Sequence, residues 1–386
     1  MDCDALGALP VTAQRYALTD VGYTDGAAIA LSGTPTAAER NIDLRTDESN
    51  ELAASLYWNI AIPASGVKGA CVGSNTIAVI AQVAGMPLLN NTTWINTGSV
   101  LPGNITDSQL AIIGDYVYLF GGRSAGTTYL NVIYRAPISN PTAWVNTGAT
   151  LPASIWASQL AIIGDYVYLF GGRNSASAFT NVIYRAPISD PTAWVNTGAT
   201  LPANLAYSQA EVIDSYVYLF SGRTSGSTPT NTIFRAPISN PTAWVNTGAT
   251  LPSGRDQAQT AIVGDYVYLF GGYSGTGYTN VIYRAPTSDP TAWVNTGAAL
   301  PSNLGFSQTA IVGDYVYLFG GYNGSTYTNA VYRAPVVNPT QWETDNGTLP
   351  SVLGISQTAT IGDYVYLFGG LASGAFSNAI YRATIE

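Results

Sequence analysis

The sequence predicts an all-β protein. A six-bladed β-propeller over residues 90–386 is closed by a strand from its own N-terminal end and preceded by a small β-sandwich-like domain over residues 1–85. Three observations predict it. Trp94, Trp144, Trp194, Trp244, Trp293 and Trp342 recur at spacings of 50, 50, 50, 49 and 49 residues. The segment Asp-Tyr-Val-Tyr-Leu-Phe-Gly-Gly that begins at Asp115 recurs at Asp165, Asp265, Asp314 and Asp363, with a variant from Ser215 that ends in Ser221-Gly222. Each period divides into four short strands, and four strands in about 50 residues is the pattern of one propeller blade.

Within the first period, strand a is expected over 108–113, and Gly114-Asp115 is a two-residue hairpin signal. Strand b, 116–120, is apolar throughout, as a strand buried on both faces should be. Gly121-Gly122 ends it. Strand c is expected over 131–136 and strand d over 143–147, joined by a connection bounded by Pro137 and Pro141. The array is entered at a d-type strand, Trp94 to Gly98, and left after a c-type strand, Ile380 to Ala383. The last blade therefore lacks strand d while an orphan d stands at the start. Pairing the two closes the ring and removes two free edges.

Gly121-Gly122 after an apolar strand, then Tyr134 and Trp144, with equivalents in all six periods, resembles the kelch repeat family. The resemblance covers about three quarters of the chain. Its departures are Ser221 for the first glycine, Phe234 for the tyrosine, and an arginine such as Arg135 after the tyrosine. It implies a propeller that serves as a binding platform, with some members enzymes, and so speaks to fold more than to function.

Residues 1–85 alternate short apolar runs with Gly, Thr, Asn and Pro, the pattern of about five strands. This part resembles Ig-like stalk modules of bacterial surface proteins. An incomplete sandwich would leave an edge for self-association by strand addition. Cys3 and Cys71, the only cysteines, are expected to form a disulfide in an oxidising compartment. The first residues, Met1-Asp2-Cys3-Asp4, carry no secretory signal, and removal of a leader is expected.

Charged residues make up 10% of the chain against roughly 25% in ordinary soluble proteins, so Thr, Ser, Asn, Tyr and Gly must cover the surface. That palette points to an extracellular or cell-surface location. A net charge of −9 provides no basic footprint for nucleic acid. No stretch reaches the ~20 apolar residues of a membrane span, so no membrane insertion is expected.

The chain contains no histidine. This removes histidine-based nucleophile activation and most transition-metal sites, including a kelch-type copper site. No cofactor and no metal are expected. The hairpin aspartates are read as turn residues and the repeated tryptophans as packing. Asp107 and Asp256 each occur in one repeat only, and a carbohydrate-active enzyme would have to use such carboxylates. The invariant Gln109, Gln159, Gln209, Gln259, Gln308 and Gln357 begin the innermost strand and are read as channel-lining.

Comparing the six copies directs attention to two variable windows, the d–a connection (104–107 in the first period) and the b–c connection from residue 123. Because strands alternate in direction, both fall on one face, while the near-verbatim a–b and c–d connections fall on the other. Diversity on one face of a rigid scaffold is the mark of a recognition surface. The candidate binding residues are Arg123, Trp156, Arg173, Tyr207, Arg223, Arg255, Asp256, Tyr273, Phe306 and Tyr322, types that carry binding hot spots. The expected protein is non-catalytic and adhesin-like, with a glycan or cell-surface protein as partner. The alternatives are a structural subunit of a surface filament or layer, assembling through the N-terminal domain, and the carbohydrate-active enzyme.

Overall fold

The computed structural model describes residues 94–126 and 128–385 together with Leu89, and short strands before them. The chain divides into two units, Met1–Met86 and Pro87–Glu386. In the first, Asp2–Cys3 pairs with Cys71–Val72, and Gln14–Ala17 lies between Ile29–Ala30 and Tyr57–Ile60. The register sets Cys3 directly across from Cys71. The disulfide itself, the Ig-like resemblance and the sandwich-like assembly lie outside the described residues.

The second unit is an all-β six-bladed propeller. Blade 1 has strand a at Gln109–Ile113, b at Tyr116–Phe120, c at Val132–Pro137 and d at Val145–Thr150, hydrogen-bonded in that order. Blades 2 to 5 repeat the arrangement. Strand d begins and ends later than the sequence pattern implied, because the tryptophan stands before the strand as an anchor: Trp144 Nε1 donates to the Pro141 carbonyl at 2.8 Å. In blade 6, Gln357–Ile361, Tyr364–Ala372 and Ala375–Thr384 are completed by Ile95–Val100 from the far end of the array.

The core lies between blades. Strand b is apolar on both faces because each face packs on a different neighbour. In every interface the tryptophan of one blade meets the phenylalanine of the preceding blade edge-on. Trp244 and Phe170 lie 4.9 Å apart between ring centres, and the closing pair, Trp144 on Phe368, lies at 5.1 Å. The arginine that departs from the kelch pattern has a local partner: Arg135 lies over Tyr116 at 4.6 Å, and all six blades repeat the pair.

Backbone hydrogen bonds fix which loops share a face. Ile138 N–H donates to the Asp115 carbonyl at 2.9 Å, joining the c–d and a–b connections. Thr106 and Arg123 exchange backbone bonds of 2.9 and 3.0 Å, joining the d–a and b–c connections on the opposite face.

If the closing interface equals the internal ones, Trp144→Ala and Trp244→Ala should each cost about 3–5 kcal/mol. Urea unfolding should give values within ~1 kcal/mol of each other. A much smaller loss for Trp144→Ala would mean that the ring is open at that interface in solution.

Candidate functional site at the channel mouth

The loop face is built on the glycine doublets. Gly121 has φ +62°, and a Cβ there would lie 2.4 Å from the Ile155 carbonyl oxygen of the next blade. Its absence lets Gly122 N–H donate to that carbonyl at 2.8 Å. The d–a loop of each blade is thus drawn over its neighbour, toward the channel.

One turn further in stands a collar of one residue per blade: Asp107, Ala157, Tyr207, Gln257, Phe306 and Ile355. All six are non-glycine residues in the left-handed region, with φ between 52° and 58°. Successive members are joined by backbone hydrogen bonds from Ala157 N–H on the Asp107 carbonyl, 3.0 Å, round to Ile355 on Phe306, 2.9 Å. Side chains rarely hold this conformation unless the surroundings impose it, and such positions gather at functional sites. The collar and the glutamine ring line one cavity of about 80 Å³. Six copies of one strained position carry six different side chains, whereas the glutamine two residues on never changes.

Asp107, Ala157 and Ile355 are buried, so the accessible arc of the collar is Tyr207, Gln257 and Phe306. The Tyr207 and Phe306 rings meet edge-on at 6.1 Å. Tyr278 packs behind Phe306, and its hydroxyl donates to Gln257 Oε1 at 2.7 Å. This engages the amide oxygen and leaves the amide N–H groups as what Gln257 offers a ligand. Tyr273 and Tyr322 flank Tyr278 at 5.3 and 5.1 Å and remain partly exposed. Burial pushes the Tyr207 and Tyr278 hydroxyls up, so both stay neutral donors across the physiological range.

Three residues expected to bind are interior instead. Trp156 is 3% exposed. Its indole is stacked on Tyr129 at 5.7 Å, and the Arg173 and Arg123 guanidiniums lie over it at 4.5 and 4.8 Å. It is the centre of a small apolar cluster that holds Tyr207 in place, and not a surface anchor. Arg255, 5% exposed, occupies the position of Ile105, Ile155, Leu205, Leu304 and Leu353 in the other copies. Its guanidinium donates to Tyr283 Oη at 2.7 Å and to the Gly254 carbonyl at 2.8 Å, and burial holds its pKa below the usual value. The same interface carries Ser221 in place of glycine; Ser221 Oγ accepts the Arg255 N–H at 2.6 Å and lies 2.7 Å from the Thr230 carbonyl. The two departures from the repeat meet at one interface, through the Ser221 hydroxyl and the Arg255 backbone. Asp256 is 0% exposed and accepts from Arg223 Nε, while its Oδ1 has no hydrogen-bond partner.

The arginines present less charge than the sequence implied. Arg123 Nε donates to Asp107 Oδ2 at 2.7 Å; burial lowers the Arg123 pKa, and Asp107 more than offsets this. Arg223 is paired with Asp256. Arg173 donates to the Ser177 carbonyl from Nε and Nη2 at 2.9 and 2.6 Å and, among the described residues, forms no ion pair. Asp107 and Asp256 are both buried in ion pairs, so neither faces a substrate as a free acid or base.

Restoring the copy consensus with Ser221→Gly plus Arg255→Leu should raise stability by about 1–3 kcal/mol, since a buried, partly unpaired charge is replaced by a core side chain. A loss of melting temperature would contradict this account of the pair. Burial raises the Asp256 pKa to about 6, with Arg223 opposing. The native state therefore binds the proton more tightly than the unfolded chain, whose Asp titrates near 3.9, and this carboxyl's contribution to stability falls as pH rises from about 4 to 6. Between pH 4 and 7, Asp256→Asn should gain on the order of 2 kcal/mol relative to the parent, as read from paired urea unfolding curves. A constant difference across that range would contradict the assignment.

Comparison with known proteins agrees with the geometry. The sequence profile described as KLHDC2/KLHL20/DRC7 Kelch-repeats domain matches residues 157–370, more than half of the chain. No curated protein matches. Among solved structures, one titled "Structure of YjhT" is similar with a TM-score of 0.60 at 16% identity, covering 74% of this chain and 95% of that one, a likeness of fold alone. With its repeated glycine doublets, its inter-blade tryptophans and its closed six-blade ring, the chain belongs to the Kelch-repeat family.

Proposed function

We propose that this is a non-catalytic recognition protein of the cell surface or extracellular space, adhesin-like, that binds a glycan or a protein through the mouth of the propeller. The observation that carries the reading is the collar. One strained backbone position is repeated six times and filled six ways, within repeats that are otherwise almost identical. A neutral explanation would have spread variation over the opposite loops as well.

The accessible arc has the composition of a carbohydrate or peptide contact. Tyr207 and Phe306 offer ring faces and edges, Gln257 offers amide donors, and Tyr273 and Tyr322 widen the wall. Aromatic rings with adjacent hydrogen-bonding groups supply large contact area at low entropic cost. A strongly acidic ligand fits less well, because Asp107 and Asp256 already neutralise Arg123 and Arg223. The propeller's Kelch kinship supports a binding role over a catalytic one.

Tyr207→Ala and Phe306→Ala should each weaken adhesion to a glycan array or to cell-surface extracts at least tenfold while moving the melting temperature by no more than a few degrees. Trp156→Ala should lower the melting temperature as well, because its ring supports Tyr207 from within. Full binding by both collar variants would remove the site assignment.

A further inference from the structure

Asn-Gly pairs occur twice in the chain, at Asn323-Gly324 and Asn346-Gly347. The pair has a chemistry of its own. The glycine backbone nitrogen can attack the carbonyl carbon of the asparagine side chain, and glycine puts no side chain in the way. The structure holds the two pairs in opposite ways.

Asn323 follows Tyr322 in the b–c connection of blade 5, beside the mouth. Its Oδ1 accepts N–H bonds from Ser325 and Thr326, both at 2.9 Å. Two backbone N–H donors at this length make an oxyanion hole, so charge developing on that oxygen during attack is stabilised where it forms. The Gly324 N–H, the nucleophile, has no hydrogen-bond partner among the described residues. Gly324, Ser325 and Thr326 are exposed, so water and base reach the pair. Asn346-Gly347 lies instead inside strand d of blade 5, Glu343–Thr348. Gly347 is buried there, and its N–H is engaged, donating to Asp345 Oδ1 at 3.1 Å. Blade 2 supplies a third comparison. Asn174 Oδ1 accepts from Ala176 and Ala178 N–H at 2.9 and 3.1 Å, but the next residue is Ser175, whose side chain crowds the attack.

We propose that Asn323 is a self-modification site, converted within its own loop to aspartate and isoaspartate. Gly324 N bonds to Asn323 Cγ, the Cγ–Nδ2 bond breaks, and ammonia leaves with the proton lost from Gly324. Water then opens the cyclic imide. Opening at Cγ gives aspartate, and opening at the Asn323 main-chain carbonyl gives isoaspartate, whose main chain runs through the side-chain methylene. Either product sets a carboxylate beside Tyr322. Isoaspartate also lengthens the connection between Tyr322 and Tyr327, whose backbones are bridged and whose rings lie 5.0 Å apart. The site does not depend on the recognition reading, since no ligand takes part.

The test is incubation of the folded full chain at mildly alkaline pH, with peptide mass spectrometry and enzymatic methylation of isoaspartate to follow each asparagine. Asn323 should convert about tenfold faster, or more, than Asn346 and Asn174. In urea, where both Asn-Gly pairs lose their surroundings, Asn323 and Asn346 should convert at comparable rates. Asn323→Ser, which installs the residue type that blade 4 carries as Ser274, should remove the dominant isoaspartate signal. Equal rates at Asn323 and Asn346 in the folded chain would overturn the proposal. So would an Asn323 lead that persists in urea, or an undiminished isoaspartate signal in Asn323→Ser.

Discussion

The loop face depends on one backbone hydrogen bond, made six times. The second glycine of each doublet donates to a carbonyl in the d–a loop of the next blade, from Gly122 on Ile155 at 2.8 Å round to Gly370 on Ile105 at 2.8 Å across the closure. In five of the six blades the first residue of the doublet is a glycine with no Cβ in the way, and in blade 3 Ser221 holds the same left-handed conformation while Gly222 N–H still reaches the Arg255 carbonyl at 2.7 Å. At Gly171, Gly271 and Gly320 a Cβ would lie 2.1–2.2 Å from the carbonyl oxygen that has to pass there. The contact is short, directional and between backbones, so it survives any change in the side chains around it. That separates scaffold from display: the d–a loops are held in one path while the residues they carry differ from blade to blade.

The collar follows from the same constraint. A loop drawn this close to the axis has to turn back sharply into strand a, and the turn is made by a residue held near φ +55°. Such a conformation is costly for Tyr, Phe or Ile. The inter-blade bonds that tie successive collar residues together offset that cost, so the mouth is preorganised, and a ligand meeting it has little ordering left to impose. The aromatic packing joins each blade to its neighbour, and the glycine bonds set the geometry at the loop end.

Much of this was legible in the sequence. Period, strand order, closure by the Trp94 strand and the packing role of the tryptophans follow from repetition, because a residue that recurs in every copy meets the same neighbours in every copy. The face that carries the variable windows follows from strand alternation alone. What the sequence hid was depth. Trp156, Arg255 and Asp256 look like surface anchors because large or charged residues in variable loops normally are, yet each is covered by a neighbouring blade. A column-by-column comparison carries part of the missing signal. Arg255 stands in a column of Ile and Leu, which marks an interior position. The collar column was visible as variable, but its strained conformation and position at the mouth required the three-dimensional path of the loops.

The proposed recognition role places the working surface of this Kelch propeller at its mouth. Hydroxyl-radical footprinting of the propeller with and without a glycan or protein found to bind it tests the proposed role of the mouth most directly. The collar predicts protection at Tyr207 and Phe306, with unchanged reactivity at Ile188 and Ile238, which are 37% and 39% exposed on the opposite face. Protection of Ile188 and Ile238 with Tyr207 and Phe306 still reactive would contradict it.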